Sequence, residues 1–357
     1  MVGALLVRDG VILGRGWHRR AGEPHAEIEA MRDALGTKHG GQALRGAALY
    51  VTLEPCSTHG RTPPCTSAII DAGIRRVVAA ATDPNPSHAG RGFALLRRAG
   101  LEVTTGLLAD EASEMNAAFE HWIVHRTPLV TLKSAMSLDG KIATVTGESR
   151  WLTGEKARRL GMKLRASSDA ILVGVNTVLA DDPSLTVRIP GFKSKRWRRI
   201  ILDPRARTPL MAKVVSDDQA ASTVIVVSAA APARRVAALE KRVRILRAPL
   251  RSGRFDLPWL LRQLGQEEIT SLLVEGGGET HAAFLSAGLA HRIIFFYAPL
   301  VLGGRAAPKA VAGQGFANLL AAPALQDPRW RRIGPDLVLS ARLPALKRRH
   351  NYVHRNR

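Results

Sequence analysis

With only two cysteines in 357 residues, the chain cannot carry a disulfide framework, which excludes the stapled extracellular class. Aromatic residues make up 5% of it, and its second half offers no aromatic-rich platform on which nucleic-acid bases could stack. No apolar run is long enough to span a bilayer, and the amino end has no signal-peptide pattern. A cytoplasmic protein with no membrane partner is therefore expected. No GxGxxG follows an early strand, which sets aside a Rossmann nucleotide site. Acidic residues are scarce as well: 30 Asp and Glu against 52 Lys and Arg leave a net charge of +22. Such a balance attracts phosphorylated substrates and cofactors and, less specifically, RNA; no specific nucleic-acid partner is expected.

The two cysteines that are present, Cys56 and Cys65, share one stretch, PCSTHGRTPPC, and the tripeptide His25-Ala26-Glu27 lies upstream of it. A zinc ion that activates water needs three protein ligands and one open position, and two thiolates with an imidazole supply them. His25, Cys56 and Cys65 are the candidate ligands. Bound water still needs a base to carry its proton to a leaving amine, and Glu27 is the candidate acid/base. Pro24 suits the first turn of a helix, so a helix is expected to begin at about His25. Cys56 follows the strand-like run AALYVTLE, and Cys65 opens the helix-like CTSAIIDAGI, where the positive end of the dipole favours a thiolate. Nucleic-acid and nucleoside deaminases usually carry PCxxC, whereas eight residues separate these cysteines. The inserted residues include His59 and Arg61, and an arginine fork at the mouth of the site suits a substrate phosphate.

At this length two domains are expected. VGALLVRDGVILGRGW reads as a hairpin turning at Asp9-Gly10, and helices and strands alternate after it, closed by a helix from about Asp110 to Val124. The strands of the second half, DAILVGV, RRIILD, STVIVVS, VRILR, SLLVEGG and RIIFFYAPLVLG, alternate with helical stretches and imply a mostly parallel sheet. SLLVEGGGETHAAFLSAG ends a buried strand in Glu275 and three glycines before a helix opens, a turn whose amides could approach a phosphate.

GWHRRAGEPHAE, VTLEPCSTHGRTPPC, DPNPSHAGRG, LKSAMSLDGKIA, GESRW and NTVLADDPSLTVR together resemble the bifunctional riboflavin-biosynthesis deaminase/reductase family, and the resemblance runs from the first strand to about Leu343. It implies an α/β protein, with a cytidine-deaminase-like α/β/α domain over residues 1–124 and a dihydrofolate-reductase-like α/β domain over 128–345. Residues 346–357 are expected to form a basic, disordered tail. The implied activity has two steps: zinc-dependent hydrolytic deamination of 2,5-diamino-6-(5-phosphoribosylamino)pyrimidin-4-one, then NADPH-dependent reduction of the ribosyl chain to 5-amino-6-(5-phosphoribitylamino)uracil. One Zn2+ and NADPH are the implied cofactors.

The same resemblance implies cofactor contacts at Ala135, Trp151, Thr177, Asp181 and the run Gly277, Gly278, Glu279, Thr280, His281, Ala282 and Ala283. Substrate contacts are implied at Ser149, Arg165, Arg188 and Glu275, with His18 and Arg61 on the deaminase side, and Lys133 and Asp139 also expected near the reductase site. A homo-oligomer formed through the reductase domain is expected. The chain departs from the family pattern in starting at the first strand without a leading helix and Asn-Pro turn, in Thr58 for a usual His, in Leu300 for a usual Lys, and in Ala290-His291 for an acidic pair.

Overall fold

Asp9 and Gly10 both adopt left-handed φ, 51° and 78°, as a two-residue hairpin turn requires, and they join β1 (Gly3–Arg8) to β2 (Val11–Trp17). The structure, a computed structural model, describes residues 1–36, 44–86, 88–191 and 197–344; the expected tail at 346–357 lies outside the described residues. The chain divides into two compact units, Met1–His125 and Arg126–Arg357.

In the first unit the hairpin is followed by α1 (Ala26–Leu35), β3 (Ala48–Leu53), α2 (Cys65–Asp71), β4 (Arg76–Ala81), α3 (Arg91–Arg98), β5 (Glu102–Thr105) and α4 (Ala109–His125). The sheet order is β2-β1-β3-β4-β5, antiparallel across the first three strands and parallel across the last three. Leu6, Leu49, Ile69 and Leu96 are fully buried in its core.

How closely α1 lies on β2 is set by small residues. Ala26, Ala30 and Ala34 recur every four residues on the buried face of the helix, opposite Gly14 and Gly16. A Cβ at Gly16 would come within 2.2 Å of the Ala26 carbonyl oxygen, and one at Gly14 within 2.2 Å of the Ala30 oxygen. No side chain but hydrogen fits there.

The helix starts where expected, at about His25. His25 has extended backbone (φ −72°, ψ 164°) and is the N-cap of α1, so Pro24 precedes the helix instead of occupying its first turn. The strand expected from LEVTTGLL stops at Thr105, because Gly106 (φ 95°) and Leu108 (φ 55°) turn the chain toward α4.

In the second unit β6 (Leu129–Ser137) is followed by α5 (Glu155–Ala166), β7 (Ala170–Gly174), α6 (Val175–Asp181), β8 (Arg198–Leu202), α7 (Lys213–Ser216), β9 (Thr223–Val227), α8 (Ala233–Glu240), β10 (Arg244–Arg247), the small hairpin β11–β12 (Leu250–Arg251, Arg254–Phe255), α9 (Leu257–Gln266), β13 (Ser271–Val274), α10 (Gly278–Ser286), β14 (Arg292–Ala298), β15 (Gln326–Ile333) and β16 (Asp336–Arg342). The nine-stranded sheet runs β10-β9-β8-β7-β13-β6-β14-β16-β15, parallel through β14 and antiparallel at the β16-β15 edge. Leu172, Ile200 and Val226 feed one buried cluster, while their neighbours Ile171, Ile201 and Ile225 feed another. Both faces of the central strands are thus covered, which is why these segments read as unbroken apolar runs.

β14 is shorter than RIIFFYAPLVLG suggests. Beyond Ala298 the Leu302 and Gly303 amides donate to the Asp139 carboxylate at 3.0 and 2.8 Å, which takes the chain out of the sheet.

Candidate active sites

Three donors meet in the first unit. The N-cap position of α1 aims His25 back across the loop after β3, and its Nδ1 lies 3.4 Å from Cys56 Sγ and 3.3 Å from Cys65 Sγ. One ligand atom from each of the three lies within 4.8 Å of the others. The Cys65 amide, at the start of α2, donates to Cys56 Sγ at 3.2 Å. With donors from Cys65 acting first, Cys56 is drawn well below the ordinary thiol range, to about 4, while Cys65 is pushed up because it donates to that sulfur. Two sulfurs this close cannot both be anionic unless a cation takes the place of the shared proton. The donor set, two thiolates and one imidazole, fits zinc.

Glu27, on the first turn of α1, is almost completely buried beside these donors, and burial pushes its carboxyl up to about 7. A carboxyl poised there can both take and give a proton at neutral pH. His18 meets His25 edge-on, with ring centroids 5.1 Å apart, and its Nδ1 is 3.1 Å from the Pro24 oxygen. Arg61 and His59 are exposed on the loop between the cysteines, and Thr58 Oγ1 is 3.4 Å from His88 Nδ1.

Two residues that local pattern did not single out complete this site. Thr62 Oγ1 lies 3.3 Å from His25 Nε2, holding the ring so that Nδ1 faces the thiols. Glu54, buried at the end of β3, accepts four amides: Gly92 (2.8 Å) and Phe93 (3.3 Å) on Oε1, Asp83 (3.0 Å) and Gly90 (2.9 Å) on Oε2. It thereby ties the DPNPSHAGRG stretch to the strand that delivers Cys56. The close fit extends to Gly92, where a Cβ would meet the Pro55 oxygen at 2.2 Å.

In the second unit the expected residues line connected cavities. Lys133 and Ala135 alternate on one face of β6 and share a cavity of about 390 Å³ with Ser149, Trp151, Arg165 and Glu275. Thr177, Asp181 and Arg188 line it as well. Arg165 is already committed: its Nε and Nη2 donate to the two Glu275 oxygens at 2.8 and 2.9 Å, and Nη1 donates to the Thr186 oxygen at 3.2 Å. Burial alone would raise Glu275, but Lys133 and Arg165 overcome it and hold the carboxyl at about 2. Arg188, by contrast, is exposed and among the described residues makes one long contact, 3.4 Å, to Ser184 Oγ. Its guanidinium is the freer anion partner. Trp151 is 67% exposed, with the Arg158 guanidinium 4.8 Å from its ring centroid, and Ser149 Oγ donates to Asp181 Oδ1 at 3.1 Å.

A second cavity of about 640 Å³ shares Ile142, Ser149, Thr177, Asp181 and Gly277 with the first and extends along Gly278, Glu279, Thr280 and Ala283 at the start of α10. A Cβ on Gly277 would meet nothing within 4 Å, so this glycine leaves a bare backbone facing open space, as the approach of a phosphate to amides requires. The volume is in the range of small-molecule sites. Two expected contacts turn elsewhere. His281 is fully buried with Nδ1 2.9 Å from the Ala310 oxygen and Nε2 3.2 Å from the Val274 oxygen, so its side chain belongs to the core, and its amide donates to the Gly277 oxygen at 3.2 Å. Ala282 packs against the turn at Gly313, where a Cβ would meet it at 2.8 Å. Asp139 braces the turn after β14 and lines neither cavity.

Known proteins share both halves. The family described as the cytidine and deoxycytidylate deaminase zinc-binding region matches residues 1–81, and the RibD C-terminal domain matches 128–339. The riboflavin biosynthesis protein RibD of Bacillus amyloliquefaciens is 43% identical over 360 residues, covering 100% of this chain and 94% of the relative. Among solved structures, RibD of Acinetobacter baumannii superposes with a TM-score of 0.82 at 35% identity, covering 96% of this chain and 92% of that one. A diaminohydroxyphosphoribosylaminopyrimidine deaminase/5-amino-6-(5-phosphoribosylamino)uracil reductase from Thermotoga maritima has a TM-score of 0.80 at 32% identity, with the same coverage. No described helix is long and apolar enough to cross a membrane.

Proposed function

The chain belongs to the RibD family of riboflavin-biosynthesis enzymes, pyrimidine deaminase and phosphoribosylaminouracil reductase in one polypeptide, and from that premise we propose which of its residues carry each step. The first unit deaminates 2,5-diamino-6-(5-phosphoribosylamino)pyrimidin-4-one, and the second reduces the ribosyl chain of the product to give 5-amino-6-(5-phosphoribitylamino)uracil. The observation that carries this reading is the meeting of His25, Cys56 and Cys65 beside a buried Glu27.

His25, Cys56 and Cys65 would hold one zinc, which when bound supplies a water with a pKa near neutrality. Glu27 takes a proton at its carboxylate and returns it to the departing ammonia. Thr62 fixes the His25 ring, the Cys65 amide keeps Cys56 anionic, and Glu54 holds the neighbouring loop in place. His18 and Arg61 face substrate at the mouth.

NADPH, when bound in the second unit, would supply hydride to C1′ of the opened ribose. Gly277, Gly278, Glu279, Thr280 and Ala283 would hold the cofactor together with Thr177, Asp181, Ala135 and Trp151. Glu275 fixes Lys133 and Arg165 on the cavity floor, so the floor keeps one net positive charge, and Arg188 and Ser149 engage the substrate. Both substrates are phosphorylated pyrimidines. Two further elements of the reading have support: a thiolate metal site suits a reducing cytoplasm, and the exposed edge strand β15, with Trp330 57% and nearby Leu319 and Leu320 94% and 97% exposed, suits pairing with a second copy.

One preparation tests the order of events. Given the diaminopyrimidine phosphoriboside without cofactor, it should release ammonia and stop; NADPH added afterwards should be consumed in proportion to ribityl product. Cofactor oxidation ahead of ammonia release, or metal analysis well below one zinc per chain, would overturn the reading.

A further inference from the structure

Two arginines on the larger cavity of the second unit have no part in the steps above. Arg207 and Arg254 both line it, and both are exposed. We propose that they select the phosphorylated dinucleotide by binding the 2′-phosphate on the adenosine ribose of the cofactor. This rests on the cofactor reading given above.

The two cavities are continuous through their shared residues, and Arg165, Arg188, Lys133 and Glu275 all lie on the smaller lobe. That lobe takes the pyrimidine and its phosphate. Hydride transfer requires the nicotinamide at the junction, so the adenosine half must extend into the larger lobe. There Leu202, Leu250, Phe255 and Leu257 provide apolar walls suited to a purine.

Charge decides which ribose fits. A protein that reads an unphosphorylated ribose offers a carboxylate after a strand, whereas one that reads a 2′-phosphate offers an arginine. A carboxylate does follow β8, but Asp203 is fully buried, and its Oδ2 accepts both the Thr208 amide and hydroxyl at 2.7 Å. It is turned inward and does not line the cavity. The turn that it closes carries Arg207 to the cavity instead, where Nη2 donates to Asn176 Oδ1 at 2.6 Å. An amide partner orients the guanidinium without neutralising it. Arg254, on β12, has no carboxylate within ion-pair distance among the described residues. The two carboxylates that do line the lobe are engaged, Asp181 by Ser149 and Glu279 by the Gly313 amide at 3.2 Å.

Calorimetric titration of the zinc-loaded full chain with NADPH, NADH, adenosine 2′-monophosphate and adenosine 5′-monophosphate tests this without turnover. Arg207→Ala and Arg254→Ala should each weaken NADPH and the 2′-monophosphate about tenfold, the loss of one charge-assisted contact, while leaving NADH unchanged. Arg205→Ala, exposed but outside the cavity, should change neither. A double variant that keeps the parent's NADPH-to-NADH ratio overturns the assignment, as does an equal loss for both dinucleotides. A parent without preference for NADPH removes the cofactor reading itself, a failure distinguishable from the first.

Discussion

Gly16→Ala places one methyl group where α1 crosses β2. The added carbon would lie 2.2 Å from both the Ala26 carbonyl oxygen and the Ala30 amide nitrogen, and these backbone atoms cannot rotate away. Restoring ordinary contact takes a displacement of α1 of about 1 Å, and a misplacement of that size at a catalytic centre costs about 100-fold in rate. His25 caps this helix and Glu27 is on its first turn, so both move with it. The strain itself is expected to cost about 1–3 kcal/mol, as overpacking does elsewhere. Ammonia release and NADPH oxidation can be followed on the same preparation, the second with already deaminated substrate, so the reductase unit is an internal standard. The expected result is a deaminase slowed about 100-fold beside an unchanged reductase. Ammonia release at the parent rate would refute the claim that the glycine contact sets the position of His25 and Glu27.

Glu27→Gln should keep zinc and reductase activity and abolish ammonia release, whereas Cys65→Ser should lose the metal; full zinc in the serine variant would remove Cys65 from the ligand set. In Glu54→Gln one oxygen that accepts two amides becomes a donor facing two donors, so deaminase KM should rise with zinc content unchanged, at a cost of about 3 kcal/mol from two lost hydrogen bonds to a charged group. Unaltered deaminase kinetics would show that the loop does not need its carboxylate anchor. Glu275 has a folded pKa of about 2 against an ordinary 4.5, so its contribution to stability is complete above about pH 4.5 and disappears as the pH falls toward 2. Calorimetry of the parent and of Glu275→Gln from pH 6 to 2 should therefore differ in slope only in that acid window; identical slopes would contradict the pairing with Lys133 and Arg165.

The three candidate zinc ligands are legible because chemistry restricts such donors to a few residue types at a recognisable spacing, and each falls at the end of a short local element. The apolar runs, alternating with helical stretches, likewise announce both sheets, including the mostly parallel character of the second. Glu54 is not legible in the sequence because its four amide partners lie 29 to 39 residues away, and nothing in TLEPC hints at them. Thr62 was one hydroxyl in a polar loop until the fold set it against His25 Nε2.

What the sequence determined by itself is therefore the kind of chemistry: residue types and their spacing mark a candidate zinc site, a candidate acid/base and, through several long motifs, the family. Only the tertiary structure decided which charges are free to act. Arg165 and Arg188 look equivalent in the chain, yet the first is spent on Glu275, 110 residues away, while the second remains exposed. His281 stands within the expected cofactor run but turns into the core, and Asp203 turns inward where Arg207 turns out. The physical reason is the same in each case. Whether a polar group serves a ligand depends on which partners the fold brings within hydrogen-bonding distance, and those partners come from distant parts of the chain.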